Sequence, residues 1–261
     1  MARFLNWLSS LLINFMINIF KSGPIPKHIA IIMDGNRRYG RKQKISLHEA
    51  YTKGFESLTN SVKWFDKLGV NEITVYAFSM DNFKRTEAEV TLLMDLFEEK
   101  FTDYLNEESI IMRKKVRVKI FGKLSALPTR VQTAASKLVI ATKENNSSIL
   151  NICLAYSGRE EITNAFQLIV NDIQSQTLSK EEINEKLISQ YMYSNGTSNN
   201  PEILIRTSGE VRLSDFLLWQ TSFTSLYMID ILWPEWNIWS FLFNILIDYQ
   251  RNQKQLRILY S

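Results

Sequence analysis

The sequence predicts an α/β fold: a single domain with a central, mostly parallel six-stranded sheet flanked by helices, preceded by an amphipathic N-terminal helix. Three observations predict it. Short apolar runs rich in β-branched residues alternate with longer amphipathic stretches, as strands covered on both faces and joined by crossover helices do. Five Pro and nine Gly among 261 residues leave little room for long linkers. An apolar content of 45% supplies one large core.

The strand candidates are His28 to Met33, Glu72 to Phe78, Val116 to Phe121, Ile149 to Ala155, Ile203 to Ile205 and Leu226 to Leu232. Helical spacing covers roughly 49–67, 86–108, 125–143, 159–174, 180–190 and 236–251. No internal repeat is visible, and Ser194 to Pro201 is a low-complexity piece that reads as a surface loop. Ahead of the first strand, Phe4 to Phe20 carries no charge and places Phe4, Leu5, Leu8, Leu11, Leu12, Phe15, Met16 and Ile19 at helical spacing. Asn and Ser interrupt the run, and a bilayer span takes about 20 predominantly apolar residues. Residues 1–22 therefore read as a helix that lies on a membrane or folds over an apolar opening. A spanning helix and an ordinary core helix are the alternatives. Gly23-Pro24-Ile25-Pro26 ends this helix and hinges it to the domain at 23–261.

Composition excludes several function classes. A formal charge of +4 suits anionic small molecules or a membrane surface and falls short of a nucleic-acid signature. Cys153 is the one cysteine, so there is no internal disulfide, and a reducing compartment follows. Two histidines and one cysteine argue against a zinc site. The chain has no Asp-Asp pair, no Walker loop, no G-x-G-x-x-G and no G-x-S-x-G.

In parallel sheets ligands bind beyond the carboxyl ends of the strands, so the segments after each strand carry the interest. After the first comes Asp34-Gly35-Asn36-Arg37-Arg38. Asp34 can hold a metal whose other ligands are phosphate oxygens, and Arg38 can grip phosphate with two parallel donors. A polar turn with solvated charges is the structural alternative. After the second strand comes Ser79-Met80-Asp81-Asn82-Phe83-Lys84-Arg85, a cationic step that is also a good helix cap. After the fifth, Arg206 to Ser214 sets Arg206 and Arg212 six apart with hydroxyls and Gly209 between them, a plausible diphosphate cage. Trp233-Pro234-Glu235 puts a carboxylate after the last strand, where the helix dipole alone would favour it.

Taken together these segments resemble the cis-prenyltransferase family, which includes undecaprenyl and dehydrodolichyl diphosphate synthases. The likeness is carried by His28 through Arg38, by Ala77-Phe78-Ser79 with Asn82-Phe83-Lys84-Arg85, by Arg206 through Gln220, and by Leu232-Trp233-Pro234-Glu235. It runs from about residue 24 to residue 250 in the family's order, and the paired arginines, the Phe-Lys-Arg ending and the leader look like the eukaryotic dehydrodolichyl branch. The resemblance implies an apolar tunnel between sheet and helices. It implies condensation of isopentenyl diphosphate onto an allylic primer such as farnesyl diphosphate, with Mg²⁺, for dolichol synthesis and protein glycosylation. Asp34 would hold Mg²⁺ on the primer diphosphate, with Gly35, Asn36, Arg37, Arg38 and Arg85 around that group. Arg206, Arg212 and Ser214 would bind isopentenyl diphosphate, Glu235 would help the metal, within the chain or from across a dimer interface, and Ser79 and Asn82 would sit near the reacting centre. A peripheral place on the cytoplasmic face of the endoplasmic reticulum is also implied.

The chain departs from the family's pattern twice. Leu47 and Tyr51 stand where the family usually has Arg and His, and His48 would point elsewhere. The ending Arg257-Ile258-Leu259-Tyr260-Ser261 holds no Arg-x-Gly, so a second, related subunit is expected to supply that segment, a homodimer being the alternative. Two other readings compete: a non-catalytic membrane-binding subunit, and a lipid-binding protein that uses the tunnel without chemistry. Neither needs Asp34 or the arginines.

Overall fold

The structure, a computed structural model, describes residues 2–195 and 200–260, with side chains over 11–195 and 200–253. The side chains of Phe4, Leu5 and Leu8, those of Arg257 to Ser261, and residues 196–199 of the Ser194–Pro201 stretch lie outside the described residues.

Apolar runs that bury on two sides make the centre of the sheet. Strands β1 (His28–Ile32), β2 (Glu72–Ser79), β3 (Val116–Phe121), β4 (Ser148–Tyr156), β5 (Ile203–Arg206) and β6 (Ser225–Met228) lie in the order β3-β4-β2-β1-β5-β6. Every pairing is parallel. All residues of β1 and β5 are buried, whereas the edge strand β6 has none fully buried. Side chains alternate across the sheet with period two. Ile29, Ile31, Ile203 and Ile205 enter the larger core on one face, and Ala30, Ile32 and Leu204 the smaller core on the other.

The helices are α1 (Ala2–Phe20), α2 (Asn36–Gln43), α3 (Leu47–Leu68), α4 (Glu87–Tyr104), α5 (Ile110–Arg113), α6 (Thr129–Thr142), α7 (Gly158–Gln174), α8 (Glu185–Tyr191), α9 (Ile238–Phe241) and α10 (Ile247–Tyr260). Their starts follow local chemistry. Ser46 and Glu49 form a reciprocal capping box on α3, and Thr86 and Ser157 accept the N3 amides of α4 and α7. A single π turn, Leu242–Leu246, joins α9 to α10 and keeps Leu242, Ile245 and Leu246 in the core. Buried Glu161 of α7 accepts hydrogen bonds from Tyr156, Gln220 and the Tyr193 amide, fastening the second face.

Several boundaries differ from the sequence expectation, among them the helix ends at Tyr104 and Glu185, and two of the differences have a clear local cause. The last strand ends at Met228 because Ser208 and Gly209, both with left-handed backbone, donate to the Ile231 and Ile229 carbonyls out of ladder register. The helix expected from 125 begins at Thr129, since Leu124–Ala126 form a 3₁₀ turn and Pro128 opens the helix proper.

Helix α1 lies on the domain. Ile17 and Phe20 are buried, Lys67 Nζ donates to Asn14 Oδ1 at 2.8 Å, and Gln250 Nε2 donates to the Phe20 carbonyl at 2.8 Å. Leu11, Leu12, Phe15 and Ile19 stay exposed on its outer side. Among the described residues no helix is long and apolar enough to cross a membrane.

Candidate active site

Strand order locates the site. The chain leaves β1 for β2 on one side, and β5 fills the other, so the crossovers diverge at the carboxyl end of β1. Asp34 follows β1 and Arg206 ends β5, and there they meet: Arg206 Nη2 donates to Asp34 Oδ2 at 2.9 Å. Two segments 172 residues apart thus form one feature.

A cavity of about 450 Å³ opens at this point. Its rim carries six arginines, Arg37, Arg38, Arg41, Arg85, Arg206 and Arg212, against two carboxylates, Asp34 and Glu210. That surplus of positive charge suits polyanions. Its interior is apolar and runs past Phe55, Leu58, Leu93, Phe97 and Phe101 to Tyr104. Of the residues singled out in the sequence, Asp34, Gly35, Asn36, Arg37, Arg38, Ser79, Asn82, Arg85, Arg206, Arg212 and Ser214 line this cavity. Glu235 is not among the lining residues. Its carboxylate accepts from Lys42 Nζ at 2.6 Å.

The first segment is shaped by backbone. Gly35 stands before α2 with φ 113°, and a Cβ there would come within 3.0–3.2 Å of Leu232. The Asp34 amide donates to Thr207 Oγ1 at 2.9 Å, and its carbonyl accepts from the Trp233 amide at 3.0 Å. Burial opposes ionisation of Asp34. The bond and charge of Arg206, with Ser208 and Arg38, outweigh it and hold the carboxyl below the usual carboxylate range.

Arg206 is 4% exposed and has the firmest hold of the set. Its Nη1 donates to Ser214 Oγ at 2.7 Å and to the Arg212 carbonyl at 2.5 Å, so one guanidinium ties Asp34 to the whole loop after β5. That loop is strained: Ser208, Ser214, Asp215 and Leu217 all have positive φ. Asp215 pins it by accepting from Ser157 Oγ and from the Arg159 amide at the start of α7. Arg38 donates to Ser208 Oγ and lies 3.6 Å from Glu210, which also accepts from Arg212. Glu210 thus faces two of the lining arginines, Arg38 and Arg212.

Ser79 and Asn82 cap one another: Asn82 N–H donates to Ser79 Oγ at 3.1 Å, and Ser79 N–H to Asn82 Oδ1 at 3.2 Å. Their box closes the Met80–Lys84 turn that delivers Arg85. Gly54 of α3 permits a close approach, because a Cβ there would stand 2.4 Å from Asn36 Oδ1 and 3.2 Å from the Trp233 ring. Gly54→Ala is expected to cost about 1–3 kcal/mol of stability by overpacking. It should also reduce turnover beyond that, because Asn36 must leave its place; melting and steady-state rates on one preparation check both.

Sequence reasoning missed several neighbours. Glu210, Arg41 and Tyr51 line the cavity, while Glu89 lies behind Arg85. Glu89 was visible as an acid four residues after Arg85 at a helix start, the spacing of a helical ion pair. The departures noted at 47 and 51 separate here. Leu47 is 39% exposed, while Tyr51 is buried at the cavity wall, and His48 is exposed.

Residues 32–257 match the family model Prenyltransf, described as "Putative undecaprenyl diphosphate synthase". The chain belongs to the cis-prenyltransferase family. The human dehydrodolichyl diphosphate synthase complex subunit DHDDS is 44% identical over 93% of this prenyltransferase and 72% of its own length. The geranylgeranyl-diphosphate-specific tritrans,polycis-undecaprenyl-diphosphate synthase of Pyrococcus furiosus is 40% identical over 92% and 90%. Lavandulyl diphosphate synthase from Lavandula x intermedia, solved with dimethylallyl diphosphate, superposes with a TM-score of 0.82 at 30% identity, over 86% of this chain and 95% of its own. A prenyltransferase of this family is a transferase that elongates prenyl diphosphates, and the cationic rim above an apolar interior is the architecture such a substrate needs.

Proposed function

We propose that this prenyltransferase condenses isopentenyl diphosphate onto an allylic diphosphate, farnesyl diphosphate by preference, to make a dehydrodolichyl-type polyprenyl diphosphate. Dolichol synthesis for protein glycosylation would be its context. The observation that carries the reading is the Asp34–Arg206 pair at the mouth of a cavity whose interior is apolar as far as Tyr104. The primer diphosphate would lie among the Gly35 and Asn36 backbone, Arg37, Arg38 and Arg85. Isopentenyl diphosphate would take Arg206, Arg212 and Ser214, displacing Glu210. The growing chain would extend inward over Phe55, Phe97 and Phe101.

The residues present fit Mg²⁺. Asp34 is a half-buried, ionised carboxylate on the cavity wall, and among the described residues no cluster of three or more metal-ligating side chains surrounds it. One carboxylate with diphosphate oxygens completing the shell is an ordinary Mg²⁺ arrangement. The cation, held by Asp34, would supply charge to the departing diphosphate. Glu235, engaged by Lys42, is left out of this assignment. In the reaction the primer C1–O bond breaks and diphosphate departs towards Arg37, Arg38 and Arg85. The C4 alkene carbon of isopentenyl diphosphate bonds to C1, and a proton leaves C2 to form the new cis double bond. Ser79 and Asn82 would keep the turn beside this centre in shape.

We further propose that activity involves a second subunit supplying an Arg-x-Gly segment, a homodimer being the alternative. Phe223 (97% exposed) precedes the edge strand β6, which carries exposed Leu226, and Val211 (82%) is exposed on the Arg206–Ser214 loop. The human and mouse relatives are named as complex subunits. Residues 1–22, with the apolar outer side of α1, would rest on a membrane, in this reading the cytoplasmic face of the endoplasmic reticulum.

The test is elongation by the purified chain with Mg²⁺, farnesyl diphosphate and labelled isopentenyl diphosphate, products resolved by mass. Long product supports the reading and removes the need for a second subunit. Activity only after adding a related Arg-x-Gly subunit supports both proposals. No product under either condition overturns the reading.

A further inference from the structure

We propose that Tyr51 is a positioning residue which, with Glu89, holds Arg85 and Arg37 in place for the primer diphosphate; the inference rests on the reading above. Three groups meet in a closed triangle. Tyr51 OH donates to Glu89 Oε1 at 2.7 Å, Arg85 Nη1 donates to the same oxygen at 2.8 Å, and Arg85 Nη1 also donates to Tyr51 OH at 2.8 Å. Glu89 Oε2 lies 3.8 Å from Arg37 Nη1. One carboxylate thus serves two arginines that come from different segments, one after β1 and one after β2.

The triangle is shielded from water, with Tyr51 and Glu89 each 8% exposed. A carboxylate so placed requires several partners, and the phenol provides a neutral one. The phenol matters for orientation. An arginine paired with a carboxylate alone can pivot about that contact. A hydroxyl that accepts from Nη1 while donating to the same carboxylate fixes the plane of the fork. Both hydrogen bonds of Arg85 run through Nη1, so the Nε–Nη2 side of the guanidinium remains for a ligand. Arg85, Arg37 and Tyr51 all line the cavity, whereas Glu89 lies behind them. The Glu89 carboxylate thus braces both arginines from behind the cavity wall, while Arg85 makes no hydrogen bond through Nε or Nη2 among the described residues. A fork held in this way binds diphosphate without first losing side-chain freedom.

The test is calorimetric titration of the purified full chain, Tyr51→Phe and Arg85→Ala and the double variant, with farnesyl diphosphate and separately with isopentenyl diphosphate. Neither ligand reacts alone. Tyr51→Phe is expected to weaken farnesyl diphosphate about 10-fold, the size of one hydrogen bond to a charged group. Isopentenyl diphosphate binding should stay within about 2-fold, which also shows that the variant is folded. The double variant should bind no more weakly than Arg85→Ala, since Tyr51 acts through that arginine. Unchanged primer binding in Tyr51→Phe, equal weakening of both ligands, or full additivity in the double variant would each overturn the inference while leaving the proposed function standing. Failure of the wild-type chain to bind farnesyl diphosphate would overturn both.

Discussion

Asp34→Asn is expected to lower kcat by on the order of 10³-fold, with primer affinity changed far less. The substitution is close to isosteric. The amide oxygen can still accept from Arg206, and the backbone bonds to Thr207 and Trp233 do not involve the side chain. Folding should therefore survive, and melting should move by no more than a few degrees. What disappears is the negative charge, and with it the group proposed to hold Mg²⁺. Loss of that charge also makes the rim more cationic, so binding of a bare diphosphate is not expected to fall. The outcome is read from kcat and KM across a Mg²⁺ series. A variant within 10-fold of the wild type at saturating Mg²⁺ would remove Asp34 from the metal role.

The same residue sets an expected pH dependence. Its folded-state pKa lies below the ordinary value, with burial opposing the shift and Arg206, Ser208 and Arg38 together producing it. A depressed carboxylate pKa contributes stability at pH values above the unfolded pKa, about 3.9, and loses it as pH falls through the folded value. This pair should therefore hold throughout neutral and mildly acidic solution and weaken only below about pH 4.

The parts of the fold that could be read in advance are those where one physical requirement acts alone. Residues 29–32 and 203–205 are apolar throughout because both faces are covered, and no competing pattern disturbs them. Cationic and acidic residues placed directly after such strands are rarely needed for packing, so Asp34, Arg85 and Arg206 stood out. What could not be read depends on contacts between distant segments or on unusual backbone. The Tyr51–Glu89 brace joins α3 to α4, and a tyrosine on a helix face otherwise looks like a core residue. The left-handed residues at 208, 214, 215 and 217 leave no local signal, since serine, aspartate and leucine do not require that conformation. Glu235 followed a strand candidate and matched the family's order, yet its partner in this chain, Lys42, lies 193 positions earlier, a pairing that no local pattern announces.

Arg206→Met should have the next largest effect, and on the other substrate. The replacement keeps much of the stem volume in a site only 4% exposed but removes hydrogen bonds to Asp34, Ser214 and the Arg212 carbonyl. The Arg206 contact proposed for isopentenyl diphosphate goes with them, so its KM should rise on the order of 10²-fold. Stability should fall by about 2–3 kcal/mol, below the usual figure for breaking a buried pair, because the Asp34 side chain is 34% exposed and water can take over part of the role. The sign of the accompanying pH effect is fixed. Without Arg206 the burial of Asp34 is opposed by less, its pKa rises, and the acid limb of the rate profile moves to higher pH. Arg206→Lys should restore the charge without the fork, recovering most of the pH profile but little of the KM, because a single ammonium cannot reach Asp34, Ser214 and a diphosphate together. If lysine recovers both, charge alone suffices at this position. If it recovers neither, Arg206 acts mainly by holding the strained loop after β5, and the diphosphate contact belongs to Arg212 and Ser214.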